Sequence, residues 1–495
     1  MPALWTRGAA PSLVLLLIVT GAVAAHPADA GPLAYVPSLS GGSVAVVDTD
    51  THAVLAMPFV GFLPFGAAVS PDASRVYVTT SAGLAIMDAA TYAVMTTIPT
   101  GAVSSGVAVT PDGGKVYVTN QGSDSVSVID TLTESVVTTI SVPAGPIGIA
   151  ITPDGTSAYV TSLFGASHEH STVTVISTAD DAVRTSVPLG VIPFAVAVSP
   201  DGSRVYVSNF YGDDPTHASS GTVSVIDTAS NSVTETLTVG SGPLNVAVSR
   251  DGARLYVAND CGTTLPCDNG RLGASMVSVV DLASGALRAN IAVDHGVEGM
   301  ASTPDGCELF VTNFCGADPE CTGPGTVSVL STVTDTVVAS VPIGSEPLSW
   351  GNFIAPAASG CGEQDVAFDA IDCQLGVLVR EVDASGADVR SRALLLAPLG
   401  RARERATDGR SASDARQRRS KLQSARRKVL AFERRLKSLV RRGRLGDGES
   451  ASLLAGSSRA GRDIDFLLES TTTGCATTPS HQVSSAGSSR AAISS

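Results

Sequence analysis

The sequence predicts an all-β fold built from one repeated unit, and three observations support that prediction. Hydrophobic residues make up 44% of the 495 residues but aromatic residues only 4%, and 49 residues are glycine. This composition favours many short strands joined by tight turns. Aspartate-containing turn sequences recur along the chain in step with an aromatic-Val pair. Seven such pairs align at a spacing that starts near 42, and their aromatic members are Tyr35, Tyr77, Tyr117, Tyr159, Tyr206, Tyr256 and Phe310.

Each unit contains four short β-type segments. One unit reads VYVTN at 116–120, SVSVID at 125–130, SVVTTI at 135–140 and GIAITPDG at 148–155. Runs of Val, Ile, Thr and Tyr are the strand signal, and Pro-Asp-Gly marks a turn. One four-stranded unit cannot bury both of its faces, so the units must pack against one another. Radial packing around an axis predicts a seven-bladed β-propeller of four-stranded blades over residues 31–356.

The first and last units predict how the ring closes. The chain enters at YVPS (35–38), the second segment type of the unit, and the repeat ends at LSWGNFI (348–354), the first type. We therefore expect residues 347–355 to supply the innermost strand of the blade formed by residues 33–60, because that pairing covers an open sheet edge. Trp350 lies in this segment and is expected inside the ring.

The recurring YVTN (117–120), VSVID and PxGVAVSPDG-like segments resemble those of the YVTN-repeat propellers, including the YncE-like group. The resemblance covers about residues 31–356 and implies the propeller fold. It implies no single activity, since the family includes surface-layer, periplasmic and binding proteins, and related propellers serve as lactonases, lyases or quinoprotein subunits. Fold alone does not decide chemistry.

The N-terminus is typical of an export signal. Arg7, the short apolar stretch 13–19 and the small residues up to Ala30 predict a signal peptide at residues 1–30. We therefore expect a periplasmic or extracellular protein, with no transmembrane segment after cleavage.

The C-terminal part differs from the repeats in charge. Residues 1–380 hold 10 Lys and Arg against 34 Asp and Glu, whereas residues 381–445 hold 19 against 7. Apolar residues at steps of three and four predict an amphipathic helix at about 412–443. Basic helices of this kind are expected to contact polyanions or the acidic propeller, and export argues against a nucleic-acid partner. The predicted regions beyond the propeller are a cysteine-containing helical linker at 357–406, a basic helical hairpin at 407–475 and a disordered tail at 476–495.

Eight cysteines in an exported chain indicate disulfides. Cys261 and Cys267 bracket one loop, and Cys315 and Cys321 bracket the matching loop of the next unit, so two disulfides are predicted there. A metal knuckle is the alternative, but no CxxC pair and no histidine at ligand spacing accompanies these cysteines. The sequence leaves open how the remaining cysteines pair, namely Cys307, Cys361, Cys373 and Cys475.

The later units lengthen only between their first two segments, which gives loops at 162–171, 209–221, 259–275 and 313–325. Alternate connections of an up-and-down blade emerge on the same face, so these inserts share one face with the connections between blades. We call it the insert face and predict that a ligand binds there, because rigid scaffolds present binding residues on loops. The candidate ligand-binding residues are His168, Glu169, His170, Phe210, Tyr211, Asp213, Asp214, His217, Arg271 and Phe314.

The same loops suggest two further kinds of site. His168, His170 and His217, with Asp213 and Asp214, supply nitrogen and oxygen ligands for a divalent metal, although neither spacing matches a known loop motif and no cofactor is predicted.

His295 and Glu298 are candidates for a general base and its carboxylate partner. The preferred function is a non-catalytic scaffold that binds a protein, a glycan or a small molecule. The alternatives are a metal-assisted hydrolase or lyase at this face and a structural component of a surface layer.

Overall fold

The computed structural model describes the propeller and two C-terminal helices. The described residues are 32–164, 171–212, 220–262, 275–318, 320–349, 351–355, 389–410 and 415–442, with single helical positions at 375, 382, 453, 457 and 464. The predicted signal peptide, the predicted tail at 476–495 and Trp350 lie outside these residues.

The propeller strands form seven antiparallel sheets, which we number as blades 1 to 7 in chain order. Blade 1 contains β1 (Leu33–Ser38), β2 (Ser43–Asp48) and β3 (Val54–Ala56); blade 2 contains β4 (Ala67–Val69), β5 (Arg75–Thr80), β6 (Gly83–Asp88) and β7 (Val94–Ile98); blade 3 contains β8 (Ser104–Val109), β9 (Lys115–Asn120), β10 (Ser125–Asp130) and β11 (Ser135–Ser141); blade 4 contains β12 (Pro146–Ile151), β13 (Ser157–Ser162), β14 (Thr172–Ser177) and β15 (Ala182–Pro188). Blade 5 contains β16 (Pro193–Val198), β17 (Arg204–Asn209), β18 (Thr222–Asp227) and β19 (Ser232–Thr238); blade 6 contains β20 (Pro243–Val248), β21 (Arg254–Asn259), β22 (Met276–Asp281) and β23 (Ala286–Ala292); blade 7 contains β24 (His295–Ser302), β25 (Glu308–Gly316), β26 (Thr326–Ser331) and β27 (Thr336–Pro342). The predicted seven-bladed architecture is confirmed.

The segment after β27 closes the ring as the sequence predicts. The backbone N–H of Tyr35 donates to the carbonyl of Phe353 at 2.8 Å, and the N–H of Ala355 donates to the carbonyl of Leu33 at 2.8 Å. The N–H of Leu348 donates to the carbonyl of Pro37 at 3.0 Å. Residues 347–349 and 351–355 therefore lie against β1 on the inner side of blade 1.

The aromatic ring of the repeat has room in the sheet because its cross-strand partner is a small residue. Tyr117 lies opposite Ala108 of the innermost strand, and Phe310 lies opposite Ala301. Directly paired residues share one face of a sheet, so a small residue on the inner strand makes room for the ring on the next strand. These rings are fully buried between blades, where they contribute to clusters shared by neighbouring sheets. Burial of an aromatic side chain contributes about 2 to 3 kcal/mol.

The Thr of the YVTN segment joins neighbouring blades. Thr119 Oγ1 accepts a hydrogen bond from the N–H of Gly106 in its own blade at 2.7 Å. It also donates to the carbonyl of Ile147 in blade 4 at 2.8 Å. We call this arrangement a hydroxyl bridge. The equivalent hydroxyls are Thr79, Thr161 and Ser208, which donate to the carbonyls of Ser105, Phe194 and Leu244. Blade 6 has Ala258 and blade 1 has Pro37 at this position, so neither blade can form one.

The opposite face, which carries the Asp-Gly turns and the turns between third and fourth strands, is called the turn face. Here a basic side chain at the start of the second strand of a blade forms an ion pair with an Asp of the next blade. Lys115 Nζ lies 2.8 Å from Asp181, and Arg254 lies 2.8 Å from Asp335 with both side chains buried. The polarity is reversed where the ring closes, because His52 Nε2 of blade 1 lies 2.9 Å from the Glu308 carboxylate of blade 7.

Among the described C-terminal residues, two helices are complete enough to delimit, α1 (Val389–Arg410) and α2 (Ala415–Arg441). The apolar stripe predicted for the second helix is buried together with Leu395 and Leu399 of α1, in one hydrophobic cluster. The stripe consists of Leu422, Ala425, Val429, Phe432, Leu436 and Leu439. Contact of these helices with polyanions or with the propeller stays a prediction. None of the helices in the described part of the chain is both long and apolar enough to span a bilayer.

Candidate functional site

Several predicted site residues lie outside the described residues. They are His168, Glu169, His170, Asp213, Asp214, His217, Cys267 and Arg271. The proposed metal ligands are among them, so the metal site stays a prediction. Within the described ranges, no group of three or more His, Cys, Asp or Glu side chains is placed to hold a metal ion.

Phe210 and Tyr211 begin the insert of blade 5, and both side chains are buried. The ring of Phe210 lies 4.8 Å from that of Tyr211 and 5.6 Å from that of Phe194, measured between centroids. Leu244 and Cys261 complete the cluster. These two aromatic residues therefore support the base of the insert and offer little surface to a ligand.

His295 and Glu298 lie on the innermost strand of blade 7, and both are half-buried. The backbone of Gly296 between them has a φ of 72°, and a Cβ atom there would lie 3.2 Å from Cys315 Sγ. This segment therefore packs closely against the Cys315–Cys321 disulfide, which the structure contains as predicted. Phe314, next to that disulfide, is also half-buried. A catalytic role for His295 and Glu298 stays a prediction.

The other cysteines are partly described. Cys261 and Cys307 are both disulfide-bonded. The partner predicted for Cys261 is Cys267, which lies outside the described residues, so that pairing stays a prediction.

The sequence analysis missed a row of exposed apolar side chains on the insert face. We call them the apolar arc: Phe59 is 59% exposed, Phe62 73%, Leu63 55%, Val103 59% and Phe164 45%. Phe59, Phe62 and Leu63 lie in the connection after blade 1, Val103 lies in the connection after blade 2, and Phe164 lies at the start of the insert of blade 4. The rings of Phe59 and Phe62 meet edge to face at 5.6 Å. The unusually aromatic connection VGFLPFG (60–66) was the signal that could have identified the arc.

Two residues of the apolar arc have a strained backbone. Leu63 and Val103 have φ values of 50° and 54°, in the left-handed region. The same position has a positive φ in every other junction, where the residue is Gly145, Ile192, Gly242, Gly296 or Glu346. A residue with a Cβ atom costs roughly 1–2 kcal/mol in this conformation. Because both side chains are more than half exposed, burial does little to offset that cost.

The turn face shows a different chemistry. The Asp residues of the turns accept hydrogen bonds from their own turns, as Asp112 does from Thr110 and from the N–H of Gly114. These bonds lower the pKa of the Asp112 carboxyl, with the Thr110 hydroxyl as the main cause. The carboxylates are therefore ionised, and the interpretation of these residues as turn formers agrees with their contacts.

No protein-family model and no curated protein sequence matches the chain. Solved structures do resemble it. A hydrazine synthase of Kuenenia stuttgartiensis is 26% identical with a TM-score of 0.51, over 58% of this chain and 88% of that one. A functionally unknown protein of Desulfotomaculum acetoxidans is 19% identical with a TM-score of 0.51, over 65% and 98%. A candidate 6-phosphogluconolactonase of Bacteroides uniformis is 17% identical with a TM-score of 0.50, over 64% and 98%. These similarities agree with the β-propeller fold, and the last two support the fold alone.

Proposed function

We propose that this protein is an exported, non-catalytic recognition scaffold of the YVTN-repeat, YncE-like type, and that it binds a partner protein through the apolar arc. Export is supported by the signal-type N-terminus and by the Cys315–Cys321 disulfide. The YVTN-type assignment is supported by the repeated motif.

The observation that carries the proposal is the strained, exposed pair Leu63 and Val103. Glycine at these positions would relieve the strain and would expose less apolar surface to water. Gly145, Gly242 and Gly296 avoid the strain, and Ile192 and Glu346 are half-buried, whereas Leu63 and Val103 combine the strain with exposure of an apolar side chain. Exposed apolar side chains that lie together on one face mark protein interaction sites. The arc therefore fits an apolar patch on another protein better than it fits a glycan, which needs polar contacts.

The test uses the double variant Leu63→Gly with Val103→Gly. The wild-type protein first captures a partner from the exported fraction of its native source, and the partner is identified by mass spectrometry and purified. We expect the double variant to bind that partner at least tenfold more weakly, while its midpoint of urea unfolding stays unchanged or rises. Leu132→Gly is the matched control, because Leu132 is apolar and 91% exposed but lies on the turn face. Equal affinity of the double variant and the wild type would contradict the proposal.

The hydrolase or lyase alternative rests on the position of His295 and Glu298 beside a rigid disulfide. Turnover of a lactone and ester panel, lost in His295→Ala, would support it over the scaffold. The surface-layer alternative requires self-assembly. It would be supported if the captured partner were a second copy of this chain.

A further inference from the structure

A cavity of about 380 Å³ lies on the propeller axis. It is lined by the innermost strands of all seven blades and extends from the level of Gly148 and Asn245 to Pro111 and Pro153 in the turns of the turn face. No ionisable side chain is among the lining residues. Its walls are mainly Ala, Val, Ile and Met side chains together with strand backbone, and its polar side chains are those of Asn245, Ser302 and Asn352. The volume lies within the range of small-molecule sites.

Asn245 of blade 6 departs from the repeat at this cavity. The equivalent residues of the other blades are all small, and they are Gly66, Gly106, Gly148, Ala195, Gly299 and Ser349. At three of them, Gly106, Gly148 and Gly299, the junction leaves no room for a side chain. A Cβ atom on Gly106 would lie 2.3 Å from the carbonyl oxygen of Ile147, and one on Gly148 would lie 2.5 Å from that of Phe194. The junction between blades 6 and 7 accommodates a full amide.

The change at Asn245 is coupled to the missing hydroxyl bridge. Asn245 lies directly opposite Ala258, the residue that replaces the bridging Thr. In blade 3 the polar group is on the second strand, at Thr119, and the inner strand has Gly106. Blade 6 has exchanged the two, so that its polar side chain is on the strand that lines the axis.

The Asn245 amide has no hydrogen-bond partner within the described part of the protein. Its side chain is only 7% exposed, and the residue lines the cavity. The amide therefore remains open to the cavity and to a ligand bound there. On the same level of the axis, the Ser349 hydroxyl is buried and also without a partner. The cavity thus combines apolar side chains with a few polar ones, of which the Asn245 amide is at the inner end, and this is the arrangement expected of a ligand site.

We propose that this axial cavity binds an uncharged small molecule, with a hydrogen-bonding head on Asn245 and an apolar body along the Val and Ile side chains. Charged ligands are disfavoured for two reasons. The cavity offers no counter-charge, and burial of an unpaired ion is costly. The ionised turn carboxylates such as Asp112 also surround its outer end and repel anions. This site is separate from the apolar arc, which lies on the insert face.

The test compares three probes of the same chain length, hexanamide, hexanoate and hexylammonium, by ligand-detected NMR on the full chain. Hexanamide is expected to bind the wild type more tightly than either charged probe. Asn245→Gly, which introduces the residue of blades 3 and 4, is expected to weaken hexanamide binding about fivefold, because one hydrogen bond to the amide is lost. Asn245→Ala, the residue of blade 5, provides a second variant that the fold tolerates elsewhere.

Leu132→Gly is the control and is expected to bind hexanamide as the wild type does, because Leu132 is 91% exposed and does not line the cavity. The proposal would be overturned if hexanamide bound both Asn245 variants with unchanged affinity, if a charged probe bound equally well, or if no probe bound. Loss of partner binding in the apolar-arc variant would leave the axial site unaffected, so the two proposals fail independently.

Discussion

The hydroxyl bridge is the contact through which the repeated Thr holds the ring together, and its removal should have a large effect. Thr119→Val keeps the shape of the side chain and removes only the hydroxyl. The N–H of Gly106 and the carbonyl of Ile147 then lose a partner at 2.7 Å and 2.8 Å in a region where Thr119 is fully buried. Each unsatisfied buried group costs about 1–3 kcal/mol. We therefore expect a loss of about 2 to 4 kcal/mol in the free energy of unfolding.

Urea unfolding followed by circular dichroism measures this loss. With an m value of about 3 kcal/mol/M, the midpoint should fall by about 1 M while m stays unchanged. Thr139→Val is the matched control, because Thr139 lies exposed on β11, and its effect should stay within about 0.5 kcal/mol. Equal midpoints for the two variants would refute the reasoning.

Blade 6 allows the reverse experiment. Ala258→Thr combined with Asn245→Gly recreates the residues of a hydroxyl bridge at the junction with blade 7. The double variant should be about 1 kcal/mol more stable than the sum of the two single changes predicts, because the Thr hydroxyl has a partner only when the inner strand is small. Simple additivity would contradict this.

Two further predictions concern the turn face. The Glu308 carboxylate raises the pKa of His52 above its usual value, so this pair stabilises the fold fully below about pH 6.5 and loses its effect as the pH rises through the higher folded-state value. As the pH rises from 6 to 8.5, the urea midpoint of the wild type should therefore decrease more than that of His52→Gln. Parallel pH profiles of the two proteins would contradict the assignment. Arg254→Met should destabilise the protein by about 1.5–3 kcal/mol, because Asp335 and the Thr332 carbonyl lose their hydrogen bonds to Arg254 while Arg288 still pairs with Asp335. Arg184→Met at an exposed pair should leave the urea midpoint close to that of the wild type. Similar midpoints for the two Arg variants would contradict that account.

The blade count and the closure of the ring could be predicted from the sequence because both depend on local signals. Strand patterns and Asp turns repeat in register, and the first and last segments are of complementary types. The confirmed hydrogen bonds between Tyr35 and Phe353 and between Ala355 and Leu33 follow from that order alone. The apolar stripe of α2 could be predicted for the same reason, since helical periodicity is a local property.

The residues that distinguish one junction from another could not be predicted. The role of Thr119 depends on a carbonyl in the next blade, and the significance of Asn245 appears only when Ala258 is seen opposite it. The strain at Leu63 and Val103 is a backbone property that no residue pattern shows. Phe210 and Tyr211 were chosen for their residue type in a loop, but their neighbours bury them.

The central claim is that partners bind on the insert face and not on the turn face. A photo-reactive amino acid placed at Val103, and in a second protein at Leu132, tests it directly, because both positions are more than half exposed but lie on opposite faces of the propeller. In the exported fraction of the native source, we expect a discrete cross-linked product from position 103 and none from position 132. The same product from position 132, or no product from position 103, would contradict the account.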